Sequence, residues 1–284
     1  MDSKKINETV IYLHRLEHEN EAIQTIEQLE SDYLKNQNWN KFIKPGSVTI
    51  DIGAHSGDTL IPLIIAGSNN LKCKTKILAF EPNKVVFDTC KKNVDSNLSD
   101  LVDIKLFPFA IIDEDDKDVE FSDHGNNMCN GGIIHDNMND HLKNMLINTP
   151  NRKSFICKGY TLNTICNTHL TEEEIKNISF IKIDTEGYDR EIVISSKDFL
   201  MKYKPVIFME WFDFYGEEDS NKLFQIIEDI NYIPFNPITL EVANVKNKIW
   251  DLLLIQKDDM DNLNKTKRYY GQMEEDRFLN EHIF

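Results

Sequence analysis

The chain is short of the features that mark nucleic-acid binders, membrane proteins and disulfide-framed proteins. Its 32 Lys and Arg are outnumbered by 48 Asp and Glu, giving a formal net charge of −16. No basic stripe appears, so binding to a polyphosphate backbone is disfavoured electrostatically, and an anionic membrane surface is disfavoured for the same reason. No run of 18 apolar residues exists, and the first residues, MDSKKINETV, lack the apolar stretch of a secretory signal. The five cysteines (Cys73, Cys90, Cys129, Cys157 and Cys166) are odd in number and show no C-x-x-C spacing. They read as reduced thiols, which predicts a cytoplasmic protein without a disulfide frame or zinc site. Repeats and low-complexity linkers are also missing. With 284 residues, 40% of them hydrophobic, the chain predicts one large α/β domain and an accessory piece.

One further absence bears on ligand choice. The segment VTIDIGAHSGDT (48–59) runs an apolar strand into a small-residue turn, yet the G-x-G-x-x-G of a dinucleotide fold is not there. Gly53 and Gly57 stand as G-A-H-S-G, and Asp58 and Thr59 follow at the expected helix start. A carboxylate there repels a pyrophosphate, whereas it suits a ligand with a cationic centre and an ammonium group, as in S-adenosylmethionine. The next strand, within KTKILAFEPN (74–83), ends on Glu81, placed to take a ribose diol. An ordinary strand-to-helix turn would carry the same glycines for φ > 0, so it is Glu81 in register that strengthens the ligand reading.

Strands alternate with helices from residue 47 onward. Strands are expected at 47–52, 75–81, 103–110, 178–184, 204–212, 233–235 and 249–256, with helices at about 58–66, 83–96, 188–199 and 218–230. That alternation predicts a mostly parallel sheet covered on both faces. Apolar positions at Ile6, Val10, Leu13, Ile23, Ile26, Leu29 and Tyr33 predict an amphipathic helical extension over 1–44, which either packs on the domain or makes a homo-oligomer contact. Residues 122–153, rich in Asn, Gly, His and Met, break the rhythm and predict a substrate-covering loop or lid. The tail 258–284 is expected to be peripheral to a domain spanning 45–257.

Four stretches then carry a family resemblance: IDIGAHSGDT (50–59), FEPNKVVFDTCKKN (80–93), FIKIDTEGYDREIV (180–193) and the Glu-Trp pair of PVIFMEW (205–211). In that order they resemble the FkbM-type S-adenosylmethionine-dependent methyltransferases. Asp189 stands where the family usually has Glu, and Asn163 where Asp is common. The resemblance implies a Rossmann-like class I methyltransferase fold with a seven-stranded, mostly parallel sheet. It also implies O-methylation of a sugar, glycan or other small-molecule hydroxyl. By likeness, Gly53, Ala54 and Gly57 approach the methionine part of the cofactor. Asp51 or Asp58 orients the loop or binds the ammonium, Glu81 takes the ribose, and Phe109 and Ala110 flank the adenine. His55, Thr59, Pro82 and Asn83 complete the expected cofactor surface, with Asp184 at its edge.

Asp184, Glu186 and Glu210 are the expected catalytic acids, one of them receiving the acceptor proton. Burial and mutual repulsion would raise their proton affinity toward usefulness. Two other readings compete for the same residues: capping of the following helix by Asp184 and Glu186, and Mg²⁺ held by Asp184, Glu210 and Asp213, which is less favoured because no compact metal motif requires it. His55 is a third candidate base, while His124, His135 and His141 read as lid or surface residues. A nicotinamide oxidoreductase and a non-catalytic, S-adenosylmethionine-binding assembly module are the alternative functions. Base methylation is disfavoured because D-T-E-G stands where an N/D-P-P-Y-type loop is usual.

Overall fold

The computed structural model describes residues 2–6, 9–13, 42–44, 46–57, 60–61, 75–97, 102–125, 130–211, 216–246 and 249–259. Its centre is a seven-stranded sheet built from β3 (Val48–Ile52), β4 (Thr75–Phe80), β5 (Val102–Phe107), β10 (Ile178–Ile183), β11 (Val206–Glu210), β12 (Tyr232–Phe235) and β13 (Asp251–Gln256). The spatial order is β12-β13-β11-β10-β3-β4-β5, with β13 alone antiparallel to its neighbours. The expected seven strands and the final hairpin-like pair are therefore present. The central strands VTIDI and ISFIKI are buried at every position, as follows for parallel strands covered on both faces.

Two apolar layers flank the sheet. One groups Ile50, Ile52, Leu78, Phe80, Ile181, Ile183 and Ile207 with helix residues such as Ile192 and Leu223. The other gathers Phe42, Phe180, Phe208, Phe235 and Leu253 on the opposite face. Helices α1 (Lys84–Asn97), α5 (Asp189–Ser195), α6 (Lys197–Tyr203) and α7 (Gly216–Asp229) follow the strands as expected. The single helix expected at 188–199 is two, divided at Ser196, where neighbouring serines compete for backbone hydrogen bonds: Ser195 Oγ donates to the carbonyl of Ile192. Lys204 ends α6 in the left-handed region, and Pro205 delays β11 to Val206.

Three sequence expectations are corrected. The strand predicted over 103–110 stops at Phe107, because Pro108 offers no N–H to the ladder. Ala110 and Ile111 instead begin a second sheet as β6, paired with Gly159 and Tyr160. The helical reading of the N-terminus fails over its first part, since β1 (Asp2–Ile6) and β2 (Thr9–Leu13) pair as an antiparallel hairpin. Val10, Ile11 and Tyr12 are strand formers, and the local preference overrides the spacing by three and four. Positions 14–41 of that expected extension lie outside the described residues, as do the tail beyond residue 259 and the helix expected at 58–66 except Leu60–Ile61.

The insertion 122–153 is no plain loop. With its flanks it builds a four-stranded sheet, ordered β6-β9-β7-β8, from β6, β7 (Lys117–Asp123), β8 (Gly131–Ile133) and β9 (Ser154–Tyr160). It also supplies helix α2 (Asp140–Leu146), capped by the Asn139 side chain, which accepts the N–H of Leu142 at 2.9 Å. Two short helices, α3 (Leu162–His169) and α4 (Glu172–Lys176), return the chain to β10. Among the described residues no helix is long and apolar enough to cross a membrane.

Candidate active site

The strand order reverses between β10 and β3, and at such a switch point the carboxyl ends of neighbouring strands leave a crevice for a ligand. Each strand end delivers one part of the site. After β3, Gly53 turns with φ +81°, His55 with φ 48° and Gly57 with φ +88°. Gly53 has no alternative: a Cβ there would stand 1.7 Å from the carbonyl oxygen of Asp184. Ala54, fully buried, anchors the turn through its N–H to the carbonyl of Phe80 at 2.9 Å.

Glu81 closes the turn from β4. The backbone N–H of His55 donates to its Oε2 at 3.0 Å, and that of Asn83 to its Oε1 at 2.8 Å. Burial pushes this carboxyl up, and the nearby His55 and the two N–H donors oppose the push. Each oxygen thus holds one donor and keeps a further lone pair, as a diol ligand requires. Pro82 is half-buried beside it, and Asn83 turns its side chain inward to cap α1, accepting the N–H of Val85 at 3.1 Å. Phe109 packs among Phe80, Phe107 and Tyr160, while Ala110 is buried in the second sheet. The expected Asp58 and Thr59 fall outside the described residues.

Asp51 is wholly buried beneath the turn, and its partner is a residue that sequence reasoning left without a role. Lys182, itself 1% exposed, holds its Nζ 3.3 Å from Asp51 Oδ1 and 3.3 Å from Asp184 Oδ2. It donates to the carbonyl of Gly53 at 2.8 Å. One buried ammonium thereby joins the glycine turn, the strand beneath it and the first acid of D-T-E-G.

The three expected catalytic acids do converge. Asp184, Glu186 and Glu210 each offer one oxygen within 4.8 Å of the others, a spacing that also bears on the expected metal reading, whose third member Asp213 lies outside the described residues. Glu186 sits in the left-handed region with φ 56°, and Asn130 of the insertion donates to its Oε1 at 2.6 Å. Burial, then the charge of Asp184, pushes Glu186 up to about 7. Burial and the same neighbour raise Glu210 well above the usual carboxylate range. Asp189 is pushed up to about 7 by burial and by Asp184, and it accepts N–H groups of Thr185 and Gly187 at 3.1 and 3.2 Å. It holds the D-T-E-G loop closed.

The insertion packs on this loop. A Cβ on Gly132 would meet the carbonyl oxygen of Glu186 at 2.7 Å, so the two backbones touch. His135, read from the sequence as a lid or surface residue, meets the Tyr188 ring edge-on at 4.8 Å, and burial lowers its pKa. Tyr188 in turn donates to Asp113 at 2.7 Å. Among the described cysteines, Cys90, Cys157 and Cys166 are buried thiols outside any disulfide, and burial raises Cys157 and Cys166 to about 12, which makes those two poor nucleophiles.

The sheet order, the glycine turn on its first central strand and the ribose-type acid on the next define a class I methyltransferase fold. The family model for the methyltransferase FkbM domain matches residues 51–234, well over half of the chain. The chain therefore belongs to the FkbM methyltransferase family, and family and fold support S-adenosylmethionine as cofactor. Among solved structures it is similar to methyltransferase FkbM from Methylobacillus flagellatus KT, at 15% identity and TM-score 0.40, over 74% of this chain and 43% of that one. The chain thus spans less than half the length of that relative. It is also similar to an O-methyltransferase from Bacillus cereus in complex with S-adenosylhomocysteine, at 13% identity and TM-score 0.44, over 83% of each chain. A third is TYW2 of M. jannaschii in complex with S-adenosylmethionine, at 13% identity and TM-score 0.39, over 89% of this chain and 83% of that one. No curated protein matches the sequence.

Proposed function

We propose that the chain transfers a methyl group to a hydroxyl oxygen of a glycan or other small-molecule acceptor. The observation that carries this reading is the convergence of Asp184, Glu186 and Glu210 beside the glycine turn, with Gly53 against the Asp184 backbone. The residues fit the cofactor chemically. The buried Lys182 lies by Asp51 and Asp184 and acts on Glu81, Glu186 and Glu210 add two further acids beside Asp184, and an acid-rich crevice favours a ligand carrying a sulfonium and an ammonium.

Bound there, S-adenosylmethionine supplies an electrophilic methyl on a positively charged sulfur. Glu81 uses its remaining lone pairs to accept the ribose hydroxyls, and the Gly53–Gly57 turn gives the ligand close access to backbone. The acceptor oxygen would take the methyl as its bond to sulfur breaks, leaving neutral S-adenosylhomocysteine, and the acceptor's proton would pass to the carboxylate cluster. Glu186 suits that task best, because a base held at about 7 is half ready at neutral pH and binds a proton more firmly than an ordinary carboxylate. The cluster acts by acid–base chemistry in this reading, so chelation with EDTA leaves turnover intact. The net charge of −16 argues for a small acceptor over nucleic acid.

Calorimetric titration with S-adenosylhomocysteine tests the cofactor assignment. Wild type is expected to bind in the micromolar range, and Glu81→Ala to lose at least tenfold. A folded wild type that binds nothing removes the reading and turns attention to nicotinamide nucleotides. Binding without turnover on any hydroxyl acceptor points to an assembly module.

A further inference from the structure

We propose that Trp211 and Glu210 form a reading pair that selects the acceptor as a neutral hydroxylated molecule, whose polar atoms enter the small open pocket that they line with His135, Leu142, Met209 and Leu223. The inference rests on the methyl-transfer reading above and names where its acceptor binds and what chemistry is admitted.

Two polar atoms in this wall have no partner. Trp211 is 1% exposed, yet among the described residues its indole Nε1–H finds no acceptor, and the Oε2 of half-buried Glu210, itself shielded from solvent, finds no donor. Buried donors and acceptors are almost always satisfied, so a pair of orphans lining one cavity marks where a ligand's polar atoms belong. Trp211 is otherwise well fixed: its ring packs edge-on against Phe224 at 5.1 Å, and its backbone N–H donates to Trp250. The indole is therefore held in place with its N–H unspent.

The chemistry of the pair restricts the ligand. An indole N–H only donates, so the ligand must offer an acceptor atom to it. Glu210 accepts when ionised and donates when protonated, and burial with four acidic neighbours favours its protonated form. A hydroxyl answers Trp211 and either state of Glu210. An ammonium has no lone pair for Trp211.

Anions are refused by the surrounding charge. The acids lining the cavity are Asp189, Glu191, Glu210 and Asp219, with Arg190 as the one cation. Arg190 is already engaged, with Glu191 at 2.8 Å, Asp219 at 2.8 Å and the carbonyl of Asn137 at 3.4 Å. A phosphate or carboxylate would meet acids and no unspent guanidinium. Leu142, Met209 and Leu223 supply an apolar side for the C–H face of a ring, the mixed lining typical of small-molecule sites. Glu210 also belongs to the carboxylate cluster, so a hydroxyl held by it lies beside the proposed base.

The test uses the full chain with indole-¹⁵N tryptophan, saturated with S-adenosylhomocysteine. The chain has three tryptophans, and Trp39→Phe and Trp250→Phe assign the Trp211 signal by exclusion. The probes are methyl α-glucopyranoside, methyl α-galactopyranoside and methyl α-rhamnopyranoside, against glucose 6-phosphate and glucosamine. The Trp211 indole signal is expected to shift with at least one neutral glycoside, and to do so at roughly tenfold lower concentration than with the phosphate or the amine. Trp211→Phe is expected to weaken that glycoside about three- to tenfold, the worth of one hydrogen bond. Shifts produced equally by the phosphate or the amine overturn the selection. A protein that takes S-adenosylhomocysteine but shows no Trp211 shift with any neutral glycoside overturns this inference alone. One that takes no S-adenosylhomocysteine overturns the methyl-transfer reading and this inference with it.

Discussion

The ammonium of Lys182 donates to the carbonyl oxygen of Gly53 at 2.8 Å, across 129 residues of sequence. The same Nζ lies 3.3 Å from the fully buried Asp51. Removing one member of such a pair leaves an uncompensated charge in a dry interior, which costs about 3–5 kcal/mol. Lys182→Met is expected to lose about that much stability by urea denaturation. Replacing Lys182 and Asp51 together by apolar residues is expected to recover a good part of the loss. A double variant no better than the single one would mean that the Gly53 carbonyl, not Asp51, is the partner that matters.

Gly53 is constrained from two directions, by its φ of +81° and by the Asp184 carbonyl in the place of a Cβ. Both atoms of that clash are backbone or fixed to it, so no rotamer relieves it. Gly57 has a similar φ of +88° but only ordinary contact, 3.4 Å to Cys90 Sγ. Gly57→Ala is expected to cost roughly 1–2 kcal/mol, the left-handed penalty alone. Gly53→Ala is expected to lose more, together with S-adenosylhomocysteine binding. Melting and titration of the two variants side by side give the ordering, and equal losses would count against the contact with Asp184.

These two relationships differ in how far the sequence revealed them. Strands such as VTIDI and ISFIKI were readable because a parallel strand buried on both faces is a continuous apolar run. Glu81 was readable as an acid at a strand end, and the structure places it against the turn. Lys182 was in plain view inside K-I-D-T-E-G, yet a lysine in a buried strand has meaning only once β3 is known to lie beside β10. The second sheet was missed for another reason. KDVEFSD mixes buried and exposed positions without clean alternation; SFICKGY alternates, but apolar Ile156 falls on its exposed side and Gly159 on its buried one, which hides the pattern, and the Asn- and Gly-rich stretch between them looks like loop. Trp211 entered the sequence reading only through the Glu-Trp pair of PVIFMEW. Its buried, unpaired N–H is a property of packing that no residue pattern encodes.

Asn130 connects that second sheet to the chemistry. Its amide donates to Glu186 Oε1 at 2.6 Å, a bond that favours the ionised form and restrains the rise toward about 7. Asn130→Ala removes the donor, so Glu186 should hold its proton to higher pH. A hydrogen bond to a charged group is worth about 1.5–3 kcal/mol, which corresponds to roughly one pH unit or somewhat more. The acidic limb of the rate profile is expected to move up by about that amount. An unmoved limb, with cofactor affinity intact, would transfer the role of base from Glu186 to another acid.

Asp189 and Glu186 also tie stability to pH. In the fold each binds its proton at about 7, above ordinary values of 3.8 and 4.5. Between those limits the folded protein holds more protons than the unfolded chain, so rising pH favours unfolding. The contribution of each protonated acid is complete below its ordinary value and is lost as pH climbs through about 7. The urea midpoint is therefore expected to fall as pH rises from about 5 to about 8, at nearly constant m-value. Asp189→Asn removes the titration and keeps one of the two oxygens that accept the N–H groups of Thr185 and Gly187. It should flatten part of the fall, from a lower midpoint at the acidic end, because one loop N–H loses its acceptor. A variant whose midpoint declines as steeply as that of wild type would show that the proton is held elsewhere in the cluster, on Glu186 or Glu210, whose affinities are also raised.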